Sequence, residues 1–112
     1  MPRDYKLYLE DILDSIHKIQ VYTKDVTFNQ VNPSSMLMDA LLHNLEIIGE
    51  AAKHVPVEIK DKNPDVDWRR ITGLRDIVAH EYFGVSLEII WDVIQNKLPE
   101  LQASIERIIK EE

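Results

Sequence analysis

The 112-residue chain is 45% hydrophobic and 29% charged with only three glycines, a composition that builds one hydrophobic core and excludes a disordered or fibrous class. No apolar run reaches the ~18 residues of a membrane-spanning helix, and Met1-Pro2-Arg3-Asp4-Tyr5 leads into no signal-like apolar stretch, so a single cytoplasmic domain over 1–112 is expected. The lack of cysteine excludes disulfides and thiolate metal sites, and a net charge of −7 argues against a general nucleic-acid coat, which needs Lys and Arg to neutralise phosphates.

Residues 4–24 read as an amphipathic helix, with Tyr5, Leu9, Ile12, Ile16 and Ile19 recurring at spacings of three and four. Residues 27–31 connect it to a second helix, 33–54, whose start signal is Asn32 as N-cap with Pro33 at the first helical position. This helix sets Leu37, Leu41, Asn44, Ile48, Ala51 and Val55 on one stripe, and its small residues Ala40, Gly49, Ala51 and Ala52 permit close approach of a neighbour. Pro56 ends it. Residues 56–66 form a loop with room for a short helical turn, and Asn63-Pro64 repeats the start signal for a third helix from about 65. That helix turns Trp68, Ile71, Leu74 and Val78 inward; Gly84 closes the segment and Ser86 caps the next. From there Leu87, Trp91, Ile94, Leu98, Leu101, Ile105 and Ile108 keep one phase through Pro99, which predicts one long kinked helix. With no strand-like alternation and no repeats, the expected fold is an all-α antiparallel bundle of four helices, or five if the proline breaks the last.

The chemistry concentrates in Arg75-Asp76-Ile77-Val78-Ala79-His80-Glu81-Tyr82. An arginine and a histidine supply a fixed cation and a group that titrates near neutrality, two of the parts needed to break a phosphodiester. On one straight helix, five residues place Arg75 and His80 about 140° apart, so they do not share a face. They meet at one phosphate only if the helix ends or bends near His80, or if two subunits bring their motifs together. Asp76 and His80, at i,i+4, do align, as do Arg75 and Tyr82 at i,i+7. Asp76 either orients His80 or pairs with Arg69 or Lys53 as surface charge. Residues 53–75 hold six Lys and Arg against four Asp and Glu, a local +2, and 76–92 hold four acidic residues with no Lys or Arg, a local −4. One basic strip fits a small, local RNA contact.

The pattern Arg-x4-His-x-Tyr, Arg75 to Tyr82, resembles the signature of HEPN-domain ribonucleases, most closely the HepT-type toxins. The resemblance extends to Trp68, Ile71, Gly73 and Leu74 before the motif, Phe83-Gly84-Val85 and Trp91 after it, and Ile48-Gly49-Glu50-Ala51-Ala52. It implies a HEPN-like bundle and a homodimer, or a higher oligomer, with the motif at the subunit interface. It also implies RNA cleavage without metal or other cofactor, in which His80 moves protons and Arg75 stabilises the phosphoryl charge. In such type VII-like toxin–antitoxin systems a minimal nucleotidyltransferase antitoxin adenylylates the motif tyrosine, here Tyr82. The family also places Glu50 near the cleft as a supporting residue. The alternative is a non-catalytic HEPN-like module that binds a nucleotide or regulates a nucleotidyltransferase, but such a module has no chemical need for Arg75, His80 and Tyr82 together.

Other residues read more plainly. His43, Glu46, Glu50 and His54 lack the paired Glu-x-x-His of di-metal bundles and form a polar helix face or hydrogen-bonded partners for the motif, so no metal site is expected. Trp68 and Trp91 can stack on bases, but at core phase in their helices they read as packing anchors, and His17 reads as exposed. Lys60, Lys62, Arg69 and Arg70 form a solvated face that can also contact RNA or the antitoxin.

Overall fold

The apolar stripes close on one another in the computed structural model, which describes residues 4–32, 35–81 and 87–111, with the backbone alone at 79–81. The described elements are α1 (Tyr5–Thr23), a 3-10 turn (Phe28–Gln30), α2 (Met36–Lys53), α3 (Val57–Lys62), α4 (Trp68–Thr72), α5 (Leu74–Glu81), α6 (Leu87–Asp92), a π turn (Val93–Lys97) and α7 (Leu98–Glu111). No strand occurs among the described residues. Because α4 and α5 abut at Gly73, and α6 runs through the π turn into α7, these segments make an all-α bundle of five helical rods.

α1 packs between α2 and α7, and α2 carries α4 and α5 on its other flank. Leu9, Ile12, Ile16 and Ile19 of α1 are fully buried, as the period of three and four predicts. They meet Met38, Leu41, Leu45 and Ile48 of α2 and Leu98, Ile105 and Ile108 of α7. Fully burying one such side chain contributes roughly 1.5–3 kcal/mol, so these faces dominate the stability. Polar ties add direction: Gln20 Nε2 donates to Gln102 Oε1 at 2.7 Å, and Arg107 reaches both Asn63 and Asp65 at the α3–α4 connection.

Four features differ from expectation. α2 begins at Met36, because Ser35 is the N-cap and accepts from the Met38 N–H at 3.1 Å. The carbonyl of Asn32 instead accepts from both the N–H and the hydroxyl of Ser35, in a turn that precedes the helix; Pro33 lies outside the described residues, as do Gly84 and Ser86. Second, the 56–66 loop contains a full helix, α3, which buries Ile59. Asn63 does not start the third helix. Its side chain is buried and donates to the Ile59 carbonyl, its own carbonyl accepts from Trp68 Nε1, and Asp67 caps α4 through the Arg70 N–H. Third, the third helix is two helices. Gly73 caps α4, and its carbonyl accepts from the Asp76 and Ile77 N–H groups, so the ladder restarts there as α5. Fourth, the last rod slips in phase.

The slip follows from Pro99, which has no N–H and whose ring collides with the i−4 carbonyl in an α-helix. The preceding turn widens to π, with the Leu98 N–H bonded to the Val93 carbonyl. A π turn absorbs one extra residue, so the stripe upstream rotates: Ile90 is fully buried and Trp91 stands at the edge. There Trp91 meets Phe28 of the 3-10 turn, with ring centroids 6.4 Å apart. Trp68, by contrast, is the buried anchor that its phase predicts, and His17 is exposed.

The close approach that small α2 residues allow is realised at Gly49. A Cβ there would stand 3.0 Å from the Arg75 nitrogen and 3.2 Å from the carbonyl oxygens of Ile71 and Thr72. All three are backbone atoms, so no side-chain rotation relieves the clash. Gly49→Ala is therefore expected to destabilise the fold by about 1–3 kcal/mol, seen as a lowered midpoint in thermal or urea unfolding. An unchanged midpoint would show that α4 and α5 yield freely at this contact.

Candidate active site

The contact at Gly49 also fixes what stands next to it. Arg75 is the second residue of α5, and its backbone nitrogen lies against Gly49, so Glu50 on α2 faces the arginine side chain. Arg75 Nη1 donates to Glu50 Oε2 at 3.1 Å. The side chains are 57% and 44% exposed, so the pair is open to ligand. An exposed pair of this kind contributes only about 0–1 kcal/mol to stability, and its effect is to orient the guanidinium. Arginine carries five N–H donors in a planar fork, and one nitrogen anchored on a carboxylate leaves the others to grip a phosphate.

The second oxygen of Glu50 lies 3.5 Å from His54 Nε2, one turn further along α2. The His54 ring stacks on Tyr8 of α1, with centroids 4.9 Å apart and planes 18° from parallel. Tyr8, His54, Glu50 and Arg75 thus form a continuous line across α1, α2 and α5. In sequence Glu50 and His54 read either as a polar face or as partners for the motif; Glu50 contacts Arg75 directly, and His54 contacts Glu50. The sequence offers no signal for Tyr8: a contact between residues 8 and 54 leaves no trace in local periodicity. Among the described residues no three of His, Cys, Asp and Glu group closely enough to share a metal ion.

His80 lies in the last turn of α5, and the helix runs unbroken from Leu74 to Glu81. Arg75 and His80 therefore occupy one helix, on which five residues correspond to about 140° around the axis. Asp76 is exposed on the first turn of α5, and among the described residues it forms no ion pair with Arg69 or Lys53. Tyr82 lies outside the described residues. Of the basic strip, Arg70 pairs with Asp67 at 3.2 Å and Arg69 is exposed beside it.

Next to the motif helix runs a groove of about 580 Å³, floored by Leu74, Ile77, Val93 and Leu98 and rimmed by Arg70, Asp92 and Lys97. It separates α4 and α5 from the α6–α7 rod, and Ile89 on its wall is 50% exposed. Neither Glu50 nor Arg75 lines it. No described helix is long and apolar enough to cross a membrane.

Comparison with known proteins agrees with this architecture. The family model described as Ribonuclease HepT-like matches residues 12–108. A Methanocaldococcus jannaschii protein named "Putative RNase" is 40% identical over 112 residues, covering 99% of this chain and 93% of its own. The "Probable ribonuclease HepT" of Thermococcus cleftensis is 34% identical over 110 residues, 98% of this chain and 100% of that protein. A longer M. jannaschii relative, named for a gamma-glutamylcyclotransferase as well as an RNase, is 40% identical over 111 residues; this chain spans only 50% of its length. No solved structure gives a significant match. With its all-α bundle, its Arg75–His80 helix and a match spanning most of its length, the chain belongs to the ribonuclease HepT-like family.

Proposed function

We propose that this chain is an endoribonuclease that cleaves RNA without metal, and that it is the toxin of a type VII-like toxin–antitoxin pair. The observation that carries the reading is Arg75, half-exposed and oriented by Glu50, on the same helix as His80 in a chain of the ribonuclease HepT-like family.

In this reading Arg75 grips the non-bridging oxygens of the scissile phosphate. His80 takes the proton from the ribose 2′-hydroxyl as that oxygen attacks phosphorus, or gives a proton to the departing 5′-oxygen. The P–O5′ bond breaks as the P–O2′ bond forms, leaving a 2′,3′-cyclic phosphate and a free 5′-hydroxyl. Because the nucleophile is the 2′-hydroxyl, DNA is not a substrate. General acid–base catalysis of this kind contributes roughly 10²–10⁴-fold. Asp76, one turn before His80, is positioned in sequence to hold its imidazole.

The offset of about 140° between Arg75 and His80 on a straight helix supports a site shared by two subunits of a homodimer. The open apolar groove beside α5 supports the same reading, since a partner can bury it. Control would come from a minimal nucleotidyltransferase antitoxin that adenylylates Tyr82. An AMP there would put a phosphate within reach of the Arg75 face and displace the scissile one.

Arg75→Ala and His80→Ala are each expected to lower RNA cleavage by at least ~100-fold with helical content unchanged, measured on a labelled RNA and by circular dichroism. If the site is shared, mixing the two inactive variants restores one intact site in each mixed dimer, so activity recovers to about a quarter of the native level. Mixtures that stay inactive despite proven subunit exchange would place both residues in one subunit's site.

Cleavage should persist in EDTA; loss on chelation with rescue by a divalent ion would overturn the metal-free mechanism. Tyr82→Phe keeps the ring and removes the acceptor oxygen. It should remain an active nuclease that the cognate nucleotidyltransferase with ATP and Mg²⁺ no longer silences by modification. Mass spectrometry that places the adduct on Tyr5, Tyr8 or Tyr22 would defeat the assignment to Tyr82 and leave the nuclease reading standing.

A further inference from the structure

The line of side chains that ends on Arg75 begins outside the motif, on the first helix. Glu50 offers Oε2 to Arg75 Nη1 at 3.1 Å and turns Oε1 toward His54 Nε2 at 3.5 Å. Glu50 and His54 are respectively 44% and 47% exposed, and long side chains on an exposed helix face sample several rotamers unless something fixes them. The 3.5 Å contact to His54 is too long to do this as a strong hydrogen bond. What fixes the imidazole is its other side, where the Tyr8 ring lies nearly parallel at 4.9 Å. Tyr8 is itself partly buried and packed against the core next to the fully buried Leu9. Order therefore passes outward from the core: Tyr8 sets the plane of His54, His54 limits where the Glu50 carboxylate can point, and Glu50 sets the guanidinium.

The geometry points to Tyr8 and His54 as positioning residues for Arg75, acting through Glu50 to hold the guanidinium in the orientation that receives a phosphate. This rests on the reading of Arg75 as the phosphate-gripping group. It adds two residues from outside the Arg-x4-His-x-Tyr motif, one on α1 and one at the C-terminal end of α2, helices that carry none of it. A merely structural role would make the Tyr8–His54 stack a rivet between α1 and α2, whose loss lowers stability and leaves catalysis alone. A positioning role predicts loss of turnover instead, with substrate binding nearly intact.

The test uses the full chain with Tyr8→Leu, Tyr8→Phe and His54→Ala, and with Tyr8→Leu combined with Glu50→Gln. Two readouts are compared: steady-state RNA cleavage, and the rate at which phenylglyoxal modifies Arg75, followed by peptide mass. Loss of the stack should lower kcat roughly three- to ten-fold, with KM within about two-fold, in both Tyr8→Leu and His54→Ala. Tyr8→Phe keeps the stacking ring and should stay within about two-fold of native. In the Glu50→Gln background, Tyr8→Leu should have no further effect on kcat, because the line is already cut. Arg75 should react faster with phenylglyoxal in Tyr8→Leu and His54→Ala and at the native rate in Tyr8→Phe. Should Tyr8→Leu fail to fold, His54→Ala, which removes only a half-exposed side chain, decides alone.

Native Arg75 reactivity and native kcat in folded His54→Ala would overturn the proposal. So would a loss in Tyr8→Phe as large as in Tyr8→Leu, or full additivity with Glu50→Gln. The reactivity readout does not need cleavage. A native protein that cuts no RNA, but whose Arg75 responds as described, would sink the nuclease reading and leave the positioning line standing.

Discussion

The close approach of the α2 backbone to the α4–α5 junction at Gly49 is the constraint on which the site depends. There the backbone of one helix lies against the end of a second and the start of a third, with no side chain between them. The energies say which effect is cause. The buried faces of α1, α2, α6 and α7 hold a dozen large, fully buried side chains, each contributing roughly 1.5–3 kcal/mol, whereas the half-exposed Glu50–Arg75 pair contributes at most about 1 kcal/mol. The ion pair does not hold the helices together. The core presses α4 and α5 onto α2, the absence of a Cβ at residue 49 lets them come in, and Glu50 then stands where Arg75 needs it.

The rods were legible in the sequence because burial of one face is a periodic demand. α1 obeys the 3.6-residue period along its whole length, and so its stripe reads directly. What periodicity misses is any place where the ladder itself changes. The α6–α7 rod looks regular because the spacings Leu87, Trp91, Ile94 and Leu98 fit a straight helix, yet Pro99 forces a π turn that rotates the upstream half by one residue. Ile90 takes the core place and Trp91 the edge. In the same way the caps moved because several residues near each helix start could do the work. Ser35 and Asp67 reach the free N–H groups, while Asn63, read as a start signal, is spent on the Ile59 carbonyl inside the structure.

The site divides along similar lines. That Arg75 and His80 lie five residues apart on one helix follows from the spacing, and α5 carries both. That Glu50 is the partner of Arg75 crosses 25 residues of sequence, and the Tyr8–His54 stack crosses more; no local pattern encodes either. Only the Gly49-Glu50 dipeptide hints at it, since a glycine inside a helix costs about 1 kcal/mol against alanine and calls for a reason in packing.

The acidic balance of the chain bears on how such a site can work. With a net charge of −7, and with Glu50 occupying part of Arg75, the one arginine or lysine in the α5 sequence, net charge does not draw RNA in. A carboxylate beside Arg75 weakens its pull on distant phosphates and at the same time removes the freedom of the guanidinium to point elsewhere. Attraction falls off slowly with misplacement, whereas stabilisation of a developing phosphoryl charge demands donors within about 3 Å of the right oxygen. On the proposed reading the site gives up general affinity in exchange for direction. On that reading selectivity rests on how closely a phosphate fits the guanidinium that Glu50 holds, not on charge alone.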